Sequence, residues 1–448
     1  MKLPSVLAGN HRDRKRLLLA FASVAAGISI LAAAPAGAHS SSGQPPRPSP
    51  GLPYGMSALT YHRMLAQVPL DRAAGAIRRT AARSAQGRQG LVQIVVHDDT
   101  STLTIYWHGK VPGDVRRVLA GLRQRMHVAV RPARYTLAAL LHATRIVLRH
   151  HHDVTSAGPL NDGSGIQVGI SDRLPVKSAA AAQAWSGSPV PVTLSRQPAG
   201  RPLSCAVPGS SDNLGAPARC NDYAAFWGGA VVLTRNSSSL YAWCTTGFGV
   251  HFSNGTSGIL TAGHCLQNFG QSNSTWWNGQ NTAELGSSEA SPFMGSATTP
   301  SHDDGVIFTP GGSGSAYYDG PSINNGDTHN TKIVVGQGGV YPGDWECESG
   351  AMGGVLCNLQ VWYTNQNKQM WDNDFNQEFY ASGLAVAHGG TSGAPIAGDS
   401  GGPVFSLAGS TTVTARGILS GRSPYVGDVW FTPMDEVSHD LGVTVNGG

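Results

Sequence analysis

The feature that most constrains this 448-residue chain is a change in the kind of polypeptide near residue 200. Residues 1–200 carry 24 Lys and Arg against 8 Asp and Glu, whereas residues 201–448 carry 7 against 19. A near-neutral total of +4 therefore conceals a basic half and an acidic half, and all six cysteines and eight of the ten tryptophans fall in the second. Two such stretches read as separate domains, because chains of this length divide rather than enlarge one core. Their opposite fields favour docking of one half on the other. A basic half can also mean nucleic-acid or membrane binding. Here the arginines are scattered among Ala and Leu at helical spacing, so no nucleic-acid partner is expected. His150-His151-His152 has no second cluster at ligand spacing and reads as a helix end, so no metal or other cofactor is expected.

The first 38 residues have the form of an export signal. His11-Arg12-Asp13-Arg14-Lys15-Arg16 precedes an apolar run from Leu17 to Ala34, and Ala36-Gly37-Ala38 supplies a small-x-small cleavage pattern. The run is also just long enough to span a bilayer. The cleavage pattern directly after it favours removal, giving a secreted, extracellular, monomeric product with no membrane attachment.

Beyond a Ser/Pro/Gly-rich leader, residues 57–88 carry a helical pattern. Leu91–His97 and Thr102–His108 alternate as a hairpin around Asp98-Asp99-Thr100-Ser101. Helices at 114–126 and about 136–149, with strands at 127–131 and 164–171, complete a small α+β unit without a chemical constellation. From about 175 to 204 the composition is that of a linker. Many short apolar runs punctuated by Gly follow, which predicts antiparallel sheet in a sandwich or barrel.

Gly398-Asp399-Ser400-Gly401-Gly402-Pro403 is the strongest chemical signal. A serine hydroxyl is a poor nucleophile until a base takes its proton and donors await the oxyanion. The glycines let the chain turn tightly, so that the Gly398 and Ser400 amides can serve as those donors. A Gly-rich turn with an idle serine would look the same in isolation. Thr261-Ala262-Gly263-His264-Cys265 ends an apolar strand and offers the base, with a cysteine able to anchor its loop. Asp303 and Asp304 both enter an apolar strand, and either carboxylate can orient an imidazole.

Together these motifs, in the order His, Asp, Ser, resemble the chymotrypsin-like serine proteases. Within them the region from about 225 to 445 resembles the bacterial α-lytic protease and streptogrisin branch. Trp227-Gly228-Gly229, the loop from Gly343 to Cys357, and Ala415–Gly421 are similar to that branch's mature start, second-barrel loop and substrate-flanking strand. The resemblance implies an all-β fold of two antiparallel barrels, preceded here by the smaller α+β region. It implies a serine endopeptidase using His264, Asp303 and Ser400 on protein or peptide substrates through an acyl-enzyme. In it Asp303 rather than Asp304 orients His264, Ser420 supports that carboxylate, and Ser420, Gly421 and Arg422 pair with substrate as an added strand. It also implies the disulfides Cys244–Cys265 and Cys347–Cys357, which leaves Cys205 with Cys220. Residues 39–200 are similar to that branch's pro-regions, so a signal peptide (1–38), a pro-region (39–200) and a protease domain (201–448) are expected. The pro-region is then a partner of its own enzyme and is lost by cleavage within 175–204.

The chain departs from this branch at three points. No cysteine flanks the specificity pocket, Glu348 stands where the branch has an arginine that meets the Asp before the nucleophile, and Arg422 stands where it has glycine. Ala394, Ile396 and Ala397 and the lack of a pocket Asp favour small or medium apolar substrate side chains. Two rival readings remain. Gly398-x-Ser400-x-Gly402 with His439 downstream would suit an esterase elbow, which needs a strand–turn–helix setting. A binding protein that has lost catalysis would keep the same motifs.

Overall fold

A computed structural model describes residues 51–150, 154–170, 188–196, 201–202, 219–235, 241–269, 274–288, 301–322, 330–372, 377–389, 395–423 and 427–447. The export signal, His151, His152, Ala394 and Cys205 lie outside the described residues.

The leading region opens with α1 (Ala58–Ala82), whose Ser57 hydroxyl caps the Thr60 amide, and α2 (Ala85–Gly90), capped in the same way by Ser84. The single helix expected over 57–88 is thus divided at Arg83-Ser84. Strands β1 (Leu91–His97) and β2 (Thr102–Trp107) pair as an antiparallel hairpin in which alternate side chains are buried. Helix α3 (Gly113–Leu122) is the crossover that lets β3 (His127–Pro132) lie parallel to β2. After α4 (Leu137–His150) come β4 (Val154–Pro159), β5 (Ile166–Ile170), β6 (Val192–Arg196) and β7 (Arg201–Pro202). The stretch expected to be linker therefore contributes two strands. Val192 and Leu194 of β6 pack against the Ile166 and Val168 cluster, which gives that segment an apolar reason to be ordered.

The remainder is antiparallel sheet in two rings. The first comprises β9 (Val231–Arg235), β10 (Tyr241–Thr245), β11 (Gly249–Phe252), β12 (Ser257–Thr261), β13 (Thr275–Asn278), β14 (Glu284–Ser288) and β15 (Gly305–Phe308), with α5 (Gly263–Phe269) after β12; β8 (Phe226–Gly228), which precedes it in the chain, belongs to the sheet of the second. Its order is β9-β13-β14-β15-β12, and the bent run from 241 to 252 closes it, because β10 pairs with β9 and β11 with β12. Val232, Ile259, Leu266, Trp276, Leu285 and Ile307 fill it.

The second ring draws on β16 (Ser313–Tyr318), β17 (Thr331–Gln337), β18 (Trp345–Gly350), β19 (Gly354–Asp372), β20 (Gln377–His388), β21 (Pro403–Leu407), β22 (Thr412–Arg422) and β23 (Asp428–Pro433). Helix α6 (Met434–Leu441) and β24 (Val443–Val445) follow it. Six strands close it in the order β18-β19-β20-β23-β22-β21, around Leu359, Val361, Val404, Leu419, Val429 and Phe431. Strands β19 and β20 run far beyond the short apolar segment Leu359–Tyr363 that marks them in the sequence, and form a long hairpin.

Residues 46–448 are one compact unit, and the leading region is joined to the second ring in several places. Strand β4 pairs with β19 at Asn367 and Lys368, extending that sheet. The Gln67 amide of α1 exchanges hydrogen bonds with the backbone of Trp345, at 2.7 and 3.1 Å. Asp71 pairs with Arg416 of β22, both being buried. Strand β7 lies antiparallel to the end of β22, with Pro202 opposite Gly421 and Arg201 opposite Arg422. No helix among the described residues is long and apolar enough to cross a membrane.

Candidate active site

The first ring brings a histidine and an aspartate to the same end. Strand β12 pairs antiparallel with β15, Thr261 opposite Gly305, so the residues just after β12 and just before β15 leave the sheet together. His264 and Asp303 occupy those places. Asp303 Oδ1 accepts the His264 backbone N–H at 2.8 Å, and Oδ2 lies 2.8 Å from Nδ1. A carboxylate there accepts the hydrogen bond from Nδ1–H, which holds the proton on Nδ1 and leaves Nε2 as the basic nitrogen of the ring. Both side chains are fully buried. The disulfide Cys244–Cys265 ties the turn that carries His264 to β10.

Asp303, and not Asp304, faces the imidazole. Burial, reinforced by Asp440, pushes Asp304 up to about 7, whereas nearby His302 draws it down. Two further groups shape the His264 surroundings, and neither carries a sequence signal. The Thr432 hydroxyl of β23 donates to the Asp303 carbonyl at 3.1 Å. The Phe379 ring, on the long hairpin, stacks against the imidazole with centroids 5.8 Å apart. Ser420, expected to support Asp303 directly, instead lies with its hydroxyl 3.4 Å from that of Thr432 and reaches Asp303 only through it. The β22–β23 register shifts at this point, with Ile418 opposite Thr432 and Ser420 skipped between Leu419 and Gly421.

The second ring supplies the serine. The turn before β21 has Gly398 at φ +96° and Gly401 at φ +89°, a left-handed backbone that favours glycine at both. A Cβ on Gly401 would lie 2.3 Å from the Thr245 carbonyl, so the turn and β10 are in direct backbone contact. Thr245 clasps that turn twice: its hydroxyl donates to the Gly398 carbonyl at 2.7 Å, and its amide to the Ser400 carbonyl at 2.8 Å. The Ser400 carbonyl also lies 3.9 Å from the sulfur of Cys265, the neighbour of His264. Asp303 and His264 are thus paired, and the sulfur beside His264 meets the turn that carries Ser400. Asp399 points away from them into the second ring, accepting the amides of Met352, Gly353 and Ile396 at 2.7–2.8 Å. Two rings of antiparallel sheet meet here, which is the arrangement that the sequence resemblance implies.

Among solved structures, the chain is similar to Thermobifida fusca protease A, at 23% identity over 50% of this chain and 98% of that one, with a TM-score of 0.36. It is similar to a glutamic acid-specific serine protease at 25% identity over 49% and 99%, with a TM-score of 0.35. It is also similar to a Nocardiopsis protease at 20% identity over 49% and 98%, with a TM-score of 0.36. These are bacterial chymotrypsin-like serine proteases. No protein-family model and no curated protein sequence matches the chain.

Two other expectations are corrected. The bridges Cys244–Cys265 and Cys347–Cys357 are present, whereas among the described residues Cys220 has no disulfide partner, its expected partner Cys205 lying outside them; the Cys220 thiol is enclosed by Val231 and Ala351 and pushed up to about 11 by burial. His439, the histidine of the elbow alternative, sits on α6 with its side chain 84% exposed beside Asp440. The turn at Ser400 leads into strand β21 rather than a helix, so the elbow setting is absent there.

Proposed function

We propose that this chain is a secreted serine endopeptidase, made as a precursor, in which Ser400 is the nucleophile, His264 the base and Asp303 its orienting carboxylate. The observation that carries the reading is the Asp303–His264 pair of the first barrel set against the Gly398–Ser400 turn of the second. In this mechanism His264 takes the Ser400 proton as the hydroxyl attacks a peptide carbonyl. The Gly398 and Ser400 amides receive the oxyanion, and His264 then returns the proton to the leaving amine. Water hydrolyses the acyl-enzyme by the same steps in reverse, and no cofactor enters. Gly421 and Arg422 lie at the end of β22, on the edge that β7 occupies, where a substrate strand adds once β7 is gone. The setting of Ile396 and Ala397 favours small or medium apolar side chains.

Residues 39–200 are read as the pro-region. Their docking through β4 and α1 supports this, and β7, which directly follows them, pairs with the residues of β22 assigned to substrate. A strand held there blocks access, so the precursor is inhibited and cleavage falls just past Pro202, within the 175–204 segment.

A fluorophosphonate probe should label the secreted protein, and Ser400→Ala should abolish both labelling and casein hydrolysis, with turnover down on the order of 10⁶. The same substitution should leave the precursor uncut, while the active chain yields a product whose first residue lies shortly after Pro202. Labelling that survives Ser400→Ala would overturn the assignment.

A further inference from the structure

Residues 51–56 run ahead of α1 and are held by side chains of the second barrel that the catalytic reading does not use. Gly51 and Gly55, at φ +101° and +71°, bracket the segment, and the Met56 amide donates to the Pro53 carbonyl at 3.1 Å, so the chain turns there. Asp319, just past β16, and Lys332, on β17, meet this turn. Both are buried, and Asp319 Oδ2 lies 3.6 Å from Lys332 Nζ. Lys332 Nζ donates to the Gly51 carbonyl at 3.1 Å, and Asp319 Oδ1 accepts the Tyr54 amide at 2.9 Å. The positive member of the pair thus takes a carbonyl, and the negative member an N–H three residues on. Such contacts read the backbone rather than the side chains, and Tyr54 is itself 47% exposed. A desolvated ion pair is stable only where further hydrogen bonds complete it, and the turn supplies two.

Apolar and hydroxyl contacts continue the grip. Met56 and Met64 of α1 are buried in the cluster that holds Val355, Cys357 and Phe405, with Tyr61 and Leu65 packed against it. The Tyr54 carbonyl lies 3.9 Å from the Cys357 sulfur, and Asn358 Oδ1 accepts from the Ser57 and Thr60 hydroxyls. Strand β7, by contrast, is only two residues long. So short a strand does not hold itself on a sheet edge. It stays on β22 while other contacts keep it at high effective concentration there. The turn at 51–54 and β7 at 201–202 lie at opposite ends of the leading region.

We propose that the Asp319–Lys332 pair is a peptide-docking site of the second barrel, built from none of the catalytic residues, that captures the 51–54 turn by its backbone and tethers the leading region after the chain is cut past Pro202. The proposal rests on the reading of Ser400 as nucleophile and of residues 39–200 as a removable pro-region. In the cut molecule the leading region is then a bivalent ligand. Its turn holds it on the barrel, and β7 is thereby kept on the substrate edge of β22. Cutting past Pro202 leaves that edge covered, and activity follows when the turn lets go. The ligand this site takes is a short peptide turn, with a carbonyl and an N–H three residues apart and an apolar side chain two residues on, as Gly51, Tyr54 and Met56 supply.

The test follows the full chain after it cuts itself, with the dissociation constant of the leading region measured by dilution and size-exclusion chromatography, and fluorophosphonate labelling followed over time. Tyr54→Pro removes the amide that Asp319 accepts, whereas Tyr54→Ala keeps it. Proline should raise the dissociation constant about tenfold or more, the scale of one hydrogen bond to a charged group, and should bring labelling forward. Alanine should stay within about threefold of the parent, because the backbone contact survives. Asp319→Leu with Lys332→Met removes both charges together, so neither is orphaned, and should weaken retention as proline does. Added to Tyr54→Pro, that pair should change retention by less than about threefold, since all three groups belong to one contact. Should the paired substitution fail to fold, the two Tyr54 variants decide alone. A proline variant retained as firmly as the parent, an alanine variant released as readily as proline, effects that multiply, or a parent fully labelled as soon as it is cut would overturn the proposal. A parent chain that neither cuts itself nor reacts with the probe would instead sink the protease reading beneath it.

Discussion

Asp303 grips His264 at two points, the backbone N–H through Oδ1 and Nδ1 through Oδ2, each at 2.8 Å. Asn at 303 keeps the shape but can present an N–H to Nδ1, which favours the wrong tautomer. Asp303→Asn should therefore lower kcat by about 10⁴ on a peptide anilide. Asp304→Asn, one residue along, should stay within about tenfold. Equal losses in the two variants would mean that the neighbour shares the role.

The Thr432 hydroxyl gives the Asp303 carbonyl its partner at 3.1 Å. Thr432→Val removes that donor and leaves a buried carbonyl unpaired, which costs about 1–3 kcal/mol. Since the carbonyl belongs to the residue that orients His264, kcat should fall about tenfold with KM steady. Thr432→Ser, which keeps the hydroxyl, should recover it.

Gly401 combines φ +89° with backbone contact on one side, so Gly401→Ala should cost about 3 kcal/mol or more and abolish probe labelling. Gly121, on α3 with nothing within 4 Å of a built Cβ, is the control. Gly121→Ala should leave labelling intact and stabilise the chain by about 0.5–1 kcal/mol.

Lys368 is buried where β4 joins β19, its Nζ 4.1 Å from the centre of the Trp430 ring. Burial pulls it from 10.5 down to about 7, with Asp428 opposing. Below pH 7 the folded and unfolded chains both hold the proton, and folding pays the full desolvation of the charge. Between about 7 and 10.5 the folded chain sheds a proton that the unfolded chain keeps, so stability rises with pH over this window. On an uncut Ser400→Ala background, Lys368→Met should raise the melting temperature most at pH 6 and progressively less toward pH 10. A gain independent of pH would count against a buried ammonium.

Arg416 is shared between Asp71 of the leading region and the barrel's own Glu346, whose Oε1 lies 3.9 Å from Nε. Burial pushes Glu346 up to about 8. Asp71→Asn in the uncut chain should cost only about 1–2 kcal/mol, less than the 3–5 typical of orphaning a buried charge, because Glu346, relieved of the Asp71 charge that helps to raise it, can ionise beside the arginine. Denaturant titration of the two uncut chains measures the difference.

Much of the site was legible because its requirements are local. A turn that needs left-handed backbone must spell itself with glycine, and Gly398 and Gly401 do. A histidine at the end of an apolar strand and a cysteine beside it mark His264 and its anchor. The helices and hairpin of the leading region followed from periodicity for the same reason. Thr432 and Phe379 were not legible, since an ordinary Thr or Phe gains a role only from what faces it. Strands β6 and β7 hid within a low-complexity stretch, because their order comes from the sheets they join.

Taken alone, the amino-acid order determined the kinds of element, the boundary between a basic and an acidic half, and which serine, histidine and aspartates were candidates. Strand pairing between distant segments decided the rest. It put Asp303 against His264, where the motifs by themselves left Asp304 open and the resemblance favoured Asp303, and it set Thr432 between Ser420 and that aspartate. Backbone conformation is set by neighbours in the chain, whereas register and burial are set by partners hundreds of residues away. Only the folded chain brings those partners together.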